Sequence, residues 1–299
     1  MSQFRYTPYD GSTRPFTMGL HRCDVGEWIE IDGNFADQLA QKSRLLTDDP
    51  DAVYQRIPSA FVAEQEVLDM LLRYLRQRLP EIYTYKNGSI SIKPLGTSFS
   101  VADFEKVPLK LAGQLVQEDL CIIQPFEKGY RLASACLCFP SSWRLADKIG
   151  KPLEHIHAPV PGYGQTLAKK VNRVFDRLLP DKILWRLNWS LDEGEQLHRP
   201  EPHSHDEWLQ TDDSPFDHLF IRVERQTLRR LPLSGDILFT IRIYTDSLAN
   251  FWDHQRARQM AAGLSTQLAA MTADELAYKG LVKAIRPIRE ALNDIVSGG

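Results

Sequence analysis

Residues 120–140, LCIIQPFEKGYRLASACLCFP, decide the fold of this chain. On both sides of Glu127–Gly129 the apolar side chains recur with a period of two. That is the pattern of two β-strands joined by a tight turn. Three more runs of this kind follow: ILWRLNWSLD (183–192), HLFIRVERQTLRRLP (218–232) and DILFTIRIYTD (236–246). Pro232 and Gly235 supply the turn between the last two. A helical insert separates the second strand from the third. SSWRLADKIGKPLEHIH (141–157) reads as a short helix and loop. Gly164–Leu179 reads as a helix, with Leu167, Val171, Val174, Phe175 and Leu178 at helical spacing.

Working outward, residues 1–35 are loop-rich and residues 35–80 helical, through FADQLAQKSRLL and then SAFVAEQEVLDMLLRYLRQRL, which Pro80 ends. YKNGSISI (85–92) carries Asn87-Gly88 between β-prone residues, a hairpin signal. From about 249 the chain reads as two helices with a Ser-Gly-Gly tail. The expected division is an N-terminal loop and helical extension (1–115), a core (116–248) and a C-terminal helical extension (249–299). Strand, strand, helical insert, strand, strand, strand is the chain order of a PAS domain. The expected fold is therefore α+β: a PAS-like five-stranded antiparallel sheet whose helices enclose a cavity suited to a flat cofactor.

Composition narrows the function. Lys+Arg 36 against Asp+Glu 39 gives a net charge of −3 over 299 residues. That lacks the basic excess of a nucleic-acid binder. No apolar stretch approaches the roughly 20 residues of a membrane span. The N-terminus MSQFRYTPYDGSTRPF lacks the apolar region of a secretory signal. Cys23, Cys121, Cys136 and Cys138 form no paired framework, and the expectation is reduced thiols in a cytoplasmic protein. GxGxxG, ferredoxin cysteine spacing and a P-loop are all missing from the sequence, so a reductase must lie on other chains.

EHIHAPVPGYGQ (154–165) places His155 and His157 before a Pro-Val-Pro-Gly run. Proline fixes φ, and a stiff backbone can aim an imidazole at a metal. In heme-binding PAS domains the axial histidine comes from the helical insert, where both histidines lie. Alone, such a histidine reads equally as a turn residue packed on prolines. LHRPEPHSHDEW holds a rival cluster, His198, His203, His205 and Asp206. An HxH pair with a carboxylate can begin a non-heme iron site, though a polar, proline-rich segment is more commonly an exposed loop.

FPSSWRLADKIGKPLEHIHAPVPGY (139–163), WRLNWSL (185–191) and RVERQTLRRLPLSGDILFTIRIY (222–244) occur in that order. Together they resemble the heme-dependent oxidative N-demethylase (dimethylamine monooxygenase) alpha-subunit family. The resemblance runs from Met18-Gly19-Leu20 to Tyr278-Lys279-Gly280. It implies heme b on a PAS-type fold and oxygen-dependent conversion of dimethylamine to methylamine and formaldehyde. It also implies a hetero-oligomer, in which NADPH, FMN and a 2Fe–2S cluster on partner subunits supply electrons and a tetrahydrofolate-binding subunit takes the formaldehyde. A heme-PAS sensor is the binding-module alternative, but no output domain is visible.

His157, within IHxPVPGY, is the expected axial ligand of the heme iron, with His155 as the alternative. Strand alternation places Phe220, Arg222, Glu224 and Gln226 on one face, and Ile221, Val223, Arg225, Thr227 and Arg229 on the other. Arg225 and Arg229 are expected at the heme propionates, with Arg242 and Arg222 as further candidates, because a guanidinium fork matches a carboxylate. Solvated Arg–Glu cross-strand pairs are the plainer reading. Glu224 could hold the substrate amine and accept its proton, or pair with Arg222. Tyr163 could donate a hydrogen bond at the pocket edge, or pack as a turn aromatic. Trp143, Trp185 and Trp189 are expected in the core.

Overall fold

A computed structural model describes residues 4–12, 17–201, 207–210, 214–252 and 254–298. In chain order its elements are β1 (His21–Cys23), α1 (Phe35–Asp48), α2 (Pro50–Val53), β2 (Tyr54–Arg56), α3 (Phe61–Arg78), β3 (Tyr83–Lys86), β4 (Ser89–Ile92), β5 (Thr97–Ser100) and α4 (Pro108–Leu115). β6 (Asp119–Phe126), β7 (Gly129–Cys136), α5 (Leu153–Ile156), α6 (Ala168–Arg177) and β8 (Ile183–Glu193) follow. The rest are α7 (Pro215–His218), β9 (Leu219–Arg230), β10 (Ile237–Ser247), α8 (Ala257–Ala269), α9 (Ala273–Tyr278) and α10 (Ile285–Ser297).

The strands expected from the period-two runs are β6 to β10. They lie side by side in the order β7–β6–β10–β9–β8, every neighbouring pair antiparallel. The sheet has seven strands rather than the expected five, because β2 pairs with β7 and β1 pairs with β8. Each added strand has three residues, too short for alternation to register in sequence. Both come from the N-terminal 115 residues, so that extension completes the sheet rather than standing beside it. The expected hairpin at Asn87-Gly88 forms with φ of 51° and 77°, the paired positive φ a two-residue turn requires. β5 extends it to three strands.

The two faces of the large sheet are dressed differently. Leu120, Ile122 and Leu238 pack against α1, α3 and α4. Trp189, Leu191, Ile221 and Val223 pack against α8, α10 and Phe4 and Tyr9 of the N-terminus. On the other face Ile123, Leu228 and Ile237 pack against α5 and α6 of the insert. The N-terminal segment runs so close to α8 that a Cβ added at Gly263 would lie 2.4 Å from the Asp10 carbonyl carbon. Backbone cannot yield as a side-chain tip can. Gly263→Ala is therefore expected to destabilise the protein by ~1–3 kcal/mol, as overpacking does, read as a lower denaturation midpoint.

Candidate functional site

His157 closes the four-residue helix α5, and its backbone N–H bonds the Leu153 carbonyl. The turn that follows is tight. Val160 N–H donates to His157 O, and Gly162 takes φ 73°. The imidazole is fixed twice. Its Nδ1 lies 2.9 Å from Leu153 O. A carbonyl only accepts, so Nδ1 carries the proton and Nε2 carries the lone pair. The Tyr163 ring stacks on the imidazole at 4.5 Å and 13°. Burial pushes the His157 pKa down, partly offset by the Leu153 bond and reinforced by the charges of Lys148 and Arg186. A neutral imidazole with a set tautomer is the state a metal ligand needs. Burial holds Tyr163 as the phenol, its pKa pushed up to about 12. His155, the alternative ligand, is exposed.

The sheet supplies the facing wall. Arg186 of β8 is paired with Gln226 of β9, and Asn188 with Glu224. Directly opposed residues of antiparallel strands project to one face. Glu224 Oε2 accepts hydrogen bonds from Asn188 Nδ2 at 3.2 Å and Gln226 Nε2 at 2.8 Å. Its Oε1 has no hydrogen bond among the described residues. Arg186 is half-buried, and among the described residues its guanidinium makes no hydrogen bond or ion pair. Burial lowers its pKa, and the charge of Glu224 offsets that only in part. Lys279 comes from the turn after α9. Its Nζ donates to Trp189 O at 2.6 Å and sits 5.0 Å from that indole's centroid. Burial pushes its pKa down to about 8 against the pull of Glu224 and Asp192. On the insert side, Ile156, Val171, Val174, Leu184 and Phe239 are partly buried against the apolar cluster that α5 and α6 form with the sheet.

Several expected residues belong elsewhere. Arg225, Arg229 and Arg242 lie on the opposite face from His157 and Arg186, because β9 alternates and Arg242 is paired with Arg225. Arg225 donates to Glu27 O and Trp28 O and lies 3.5 Å from Glu30. Arg229 lies over the Trp28 ring at 4.8 Å. Arg242 bonds Asp32 at 2.6 Å and Gln38 at 2.9 Å. All three hold the N-terminal segment, and none shares a site with His157. Arg222 projects with Glu224, but its guanidinium donates to Phe139 O at 2.6 Å and Leu197 O at 3.2 Å. It clasps two chain segments rather than pairing with Glu224. Tyr163 stacks on His157 and is buried, so its part is to hold the ring.

His198 is held by its Nδ1 to Cys138 O at 2.7 Å. His203, His205 and Asp206 lie outside the described residues. No group of three or more possible metal-ligating side chains occurs among the described residues. Trp189 is buried as expected, whereas Trp143 and Trp185 are half-buried. A cleft of about 350 Å³ follows β8 and is lined by Tyr6, Arg186, Asn188, Trp189, Gln267 and Lys279; it opens beside these polar groups, and His157 is not part of its lining.

Sequence reasoning passed over Arg186, Asn188 and Lys279. The signal for the first two was present in WRLNWSL, because alternation puts Arg186 and Asn188 together on one face. Lys279 carried no local signal, since its burial depends on the C-terminal turn reaching β8. Residues 19–288 match the protein family described as "Haem-dependent oxidative N-demethylase, alpha subunit-like". Among the described residues no helix is long and apolar enough to cross a membrane.

Proposed function

Because this chain belongs to the haem-dependent oxidative N-demethylase, alpha-subunit-like family, we propose that it is the heme-bearing oxygenase subunit of an amine N-demethylase. In this reading β6 to β10 form a PAS-like unit, and heme b lies between the sheet and the insert. The observation that carries the reading is His157. It is half-buried and neutral, its Nδ1–H is committed to Leu153 O, and its Nε2 has no hydrogen-bond partner among the described residues. The chemistry of the wall fits the group: a partly buried apolar lining for a flat ring, and a cation beside it. Bound there, heme would supply oxygen-dependent oxidation of the amine's N-methyl group, with electrons from NADPH through FMN and 2Fe–2S partner subunits.

The chain's own residues prepare the amine. Dimethylamine is an ammonium ion at neutral pH and must lose a proton before nitrogen or the adjacent carbon can be oxidised. Glu224 Oε1 is placed to accept that proton, while Asn188 and Gln226 hold the other oxygen. Arg186 and Lys279, both within electrostatic range of Glu224, disfavour a second positive charge there and so favour the neutral amine. Loss of the methyl group as formaldehyde leaves methylamine, and a tetrahydrofolate-binding subunit would consume the formaldehyde. The assembly is thus a cytoplasmic hetero-oligomer.

The test is formaldehyde release from dimethylamine by heme-loaded protein with a reductase or chemical reductant. Glu224→Gln keeps the shape and both hydrogen-bond neighbours but removes the base. Its kcat/KM should fall about 10²-fold, as loss of a general base does, with the Soret band unchanged. Formaldehyde release independent of dimethylamine would defeat the substrate assignment. Full activity in Glu224→Gln would remove that residue from the proton transfer.

A further inference from the structure

We propose that Arg186 anchors a carboxylate of the cofactor, receiving a heme propionate on the wall opposite His157. This rests on the heme reading above and deepens it. Arg186 has an unmet donor set among the described residues. A guanidinium has five N–H donors in a planar fork, and burial without acceptors is costly. Arg222, Arg225 and Arg242 each solve that problem with two or more oxygen acceptors from the chain itself. Arg229 lies over an indole on the far face. Arg186 has none of these solutions among the described residues: its Nε is buried without a partner, as in the other four, but no oxygen or ring meets the rest of its fork.

Placement completes the case. Arg186 projects to the face that the insert covers, and its charge acts on His157. Glu224 is its nearest balancing charge, yet that carboxylate is held by Asn188 and Gln226 and also faces Lys279. Lys279 also has Asp192 and Glu275 in range, whereas the Arg186 guanidinium has no carboxylate of the described residues bound to it. A second carboxylate arriving with the ligand would meet the free fork in the bidentate geometry that a guanidinium prefers. Heme carries such groups at one edge, while its apolar remainder suits the lining formed by Leu184, Phe239 and Val171.

The experiment titrates apo-protein with hemin and, separately, with hemin dimethyl ester, following the Soret band and quenching of tryptophan fluorescence. Wild type, Arg186→Met and Arg186→Lys are compared. Arg186→Met should bind hemin about tenfold more weakly, equivalent to about 1.4 kcal/mol, and should bind the ester as wild type does. Arg186→Lys should fall between, since lysine keeps the charge and loses the fork. Thermal unfolding of the apo forms is the second readout. Removing a half-buried cation that has no partner among the described residues should leave the melting temperature of apo Arg186→Met equal to or above wild type. Hemin affinity unchanged in Arg186→Met, equal losses for hemin and ester, or a clear drop in the apo melting temperature would each overturn the assignment. Failure of wild type to bind either porphyrin would instead defeat the heme reading on which it rests.

Discussion

His157→Ala is expected to abolish the Soret band of heme-loaded protein, or to shift it to that of a loosely bound porphyrin. The expectation follows from the geometry around one ring. The insert provides a half-buried imidazole whose Nε2 has no partner among the described residues and whose Nδ1–H is committed to a carbonyl at 2.9 Å. Even outer partners of a metal ligand are worth about 10–100-fold in affinity, so loss of the ligand itself should exceed that. Apo His157→Ala should unfold near the wild-type temperature, because the side chain is half-buried and makes one hydrogen bond. His155→Ala is the control, and its exposed side chain predicts an unchanged spectrum. Imidazole added to His157→Ala should restore the wild-type Soret band if the cavity left by the ring is intact. An unaltered Soret band in His157→Ala would remove this residue from the iron and return the choice of ligand to other histidines.

What could be read in the sequence and what could not divide along a physical line. β6 to β10 are long, and each carries its own alternation, so their order and the position of the insert were legible. β1 and β2 exist only because a neighbour accepts them, and three residues hold no period. The fixed turn around His157 was legible because prolines and glycine constrain the backbone there, and those constraints are local. The surroundings of the arginines were not legible, for the opposite reason. Parity along β9 correctly separates Arg225 and Arg229 from Glu224, but parity cannot say which face the insert covers. That depends on which way the helices pack across the sheet, and here the N-terminal segment claims the face with Arg225, Arg229 and Arg242. A lone Arg186 in WRLNWSL looks weaker in sequence than the run RVERQTLRR, yet the run is spent on structure.

That structural use carries the second large effect. Glu30→Ala should destabilise the protein by about 3–5 kcal/mol, the usual result of stranding one member of a buried ion pair. Glu30 is 8% exposed, with Oε1 accepting from Arg5 at 2.8 Å and Tyr6 at 2.6 Å. Oε2 accepts from the Tyr244 hydroxyl and lies 3.5 Å from Arg225 Nε. Its backbone N–H is held by Glu118 at 2.9 Å. Removing the carboxylate leaves Arg225, 3% exposed, with backbone oxygens and a thiol but no counter-charge beside it. The cost should appear as a lower urea midpoint with an unchanged slope. Arg225→Ala should be similarly costly, and the double variant should lose less than the sum, because neither charge is then stranded. Arg225 and Glu224 are consecutive on β9 and point to opposite faces, so the latch on one face holds the strand that presents the carboxylate on the other. Arg225→Ala should thus lower the unfolding midpoint while leaving hemin affinity within about twofold of wild type in the folded protein, the opposite of Arg186→Met. A large loss of hemin affinity in Arg225→Ala at full apo stability would restore Arg225 to the cofactor and refute the separation of the two faces.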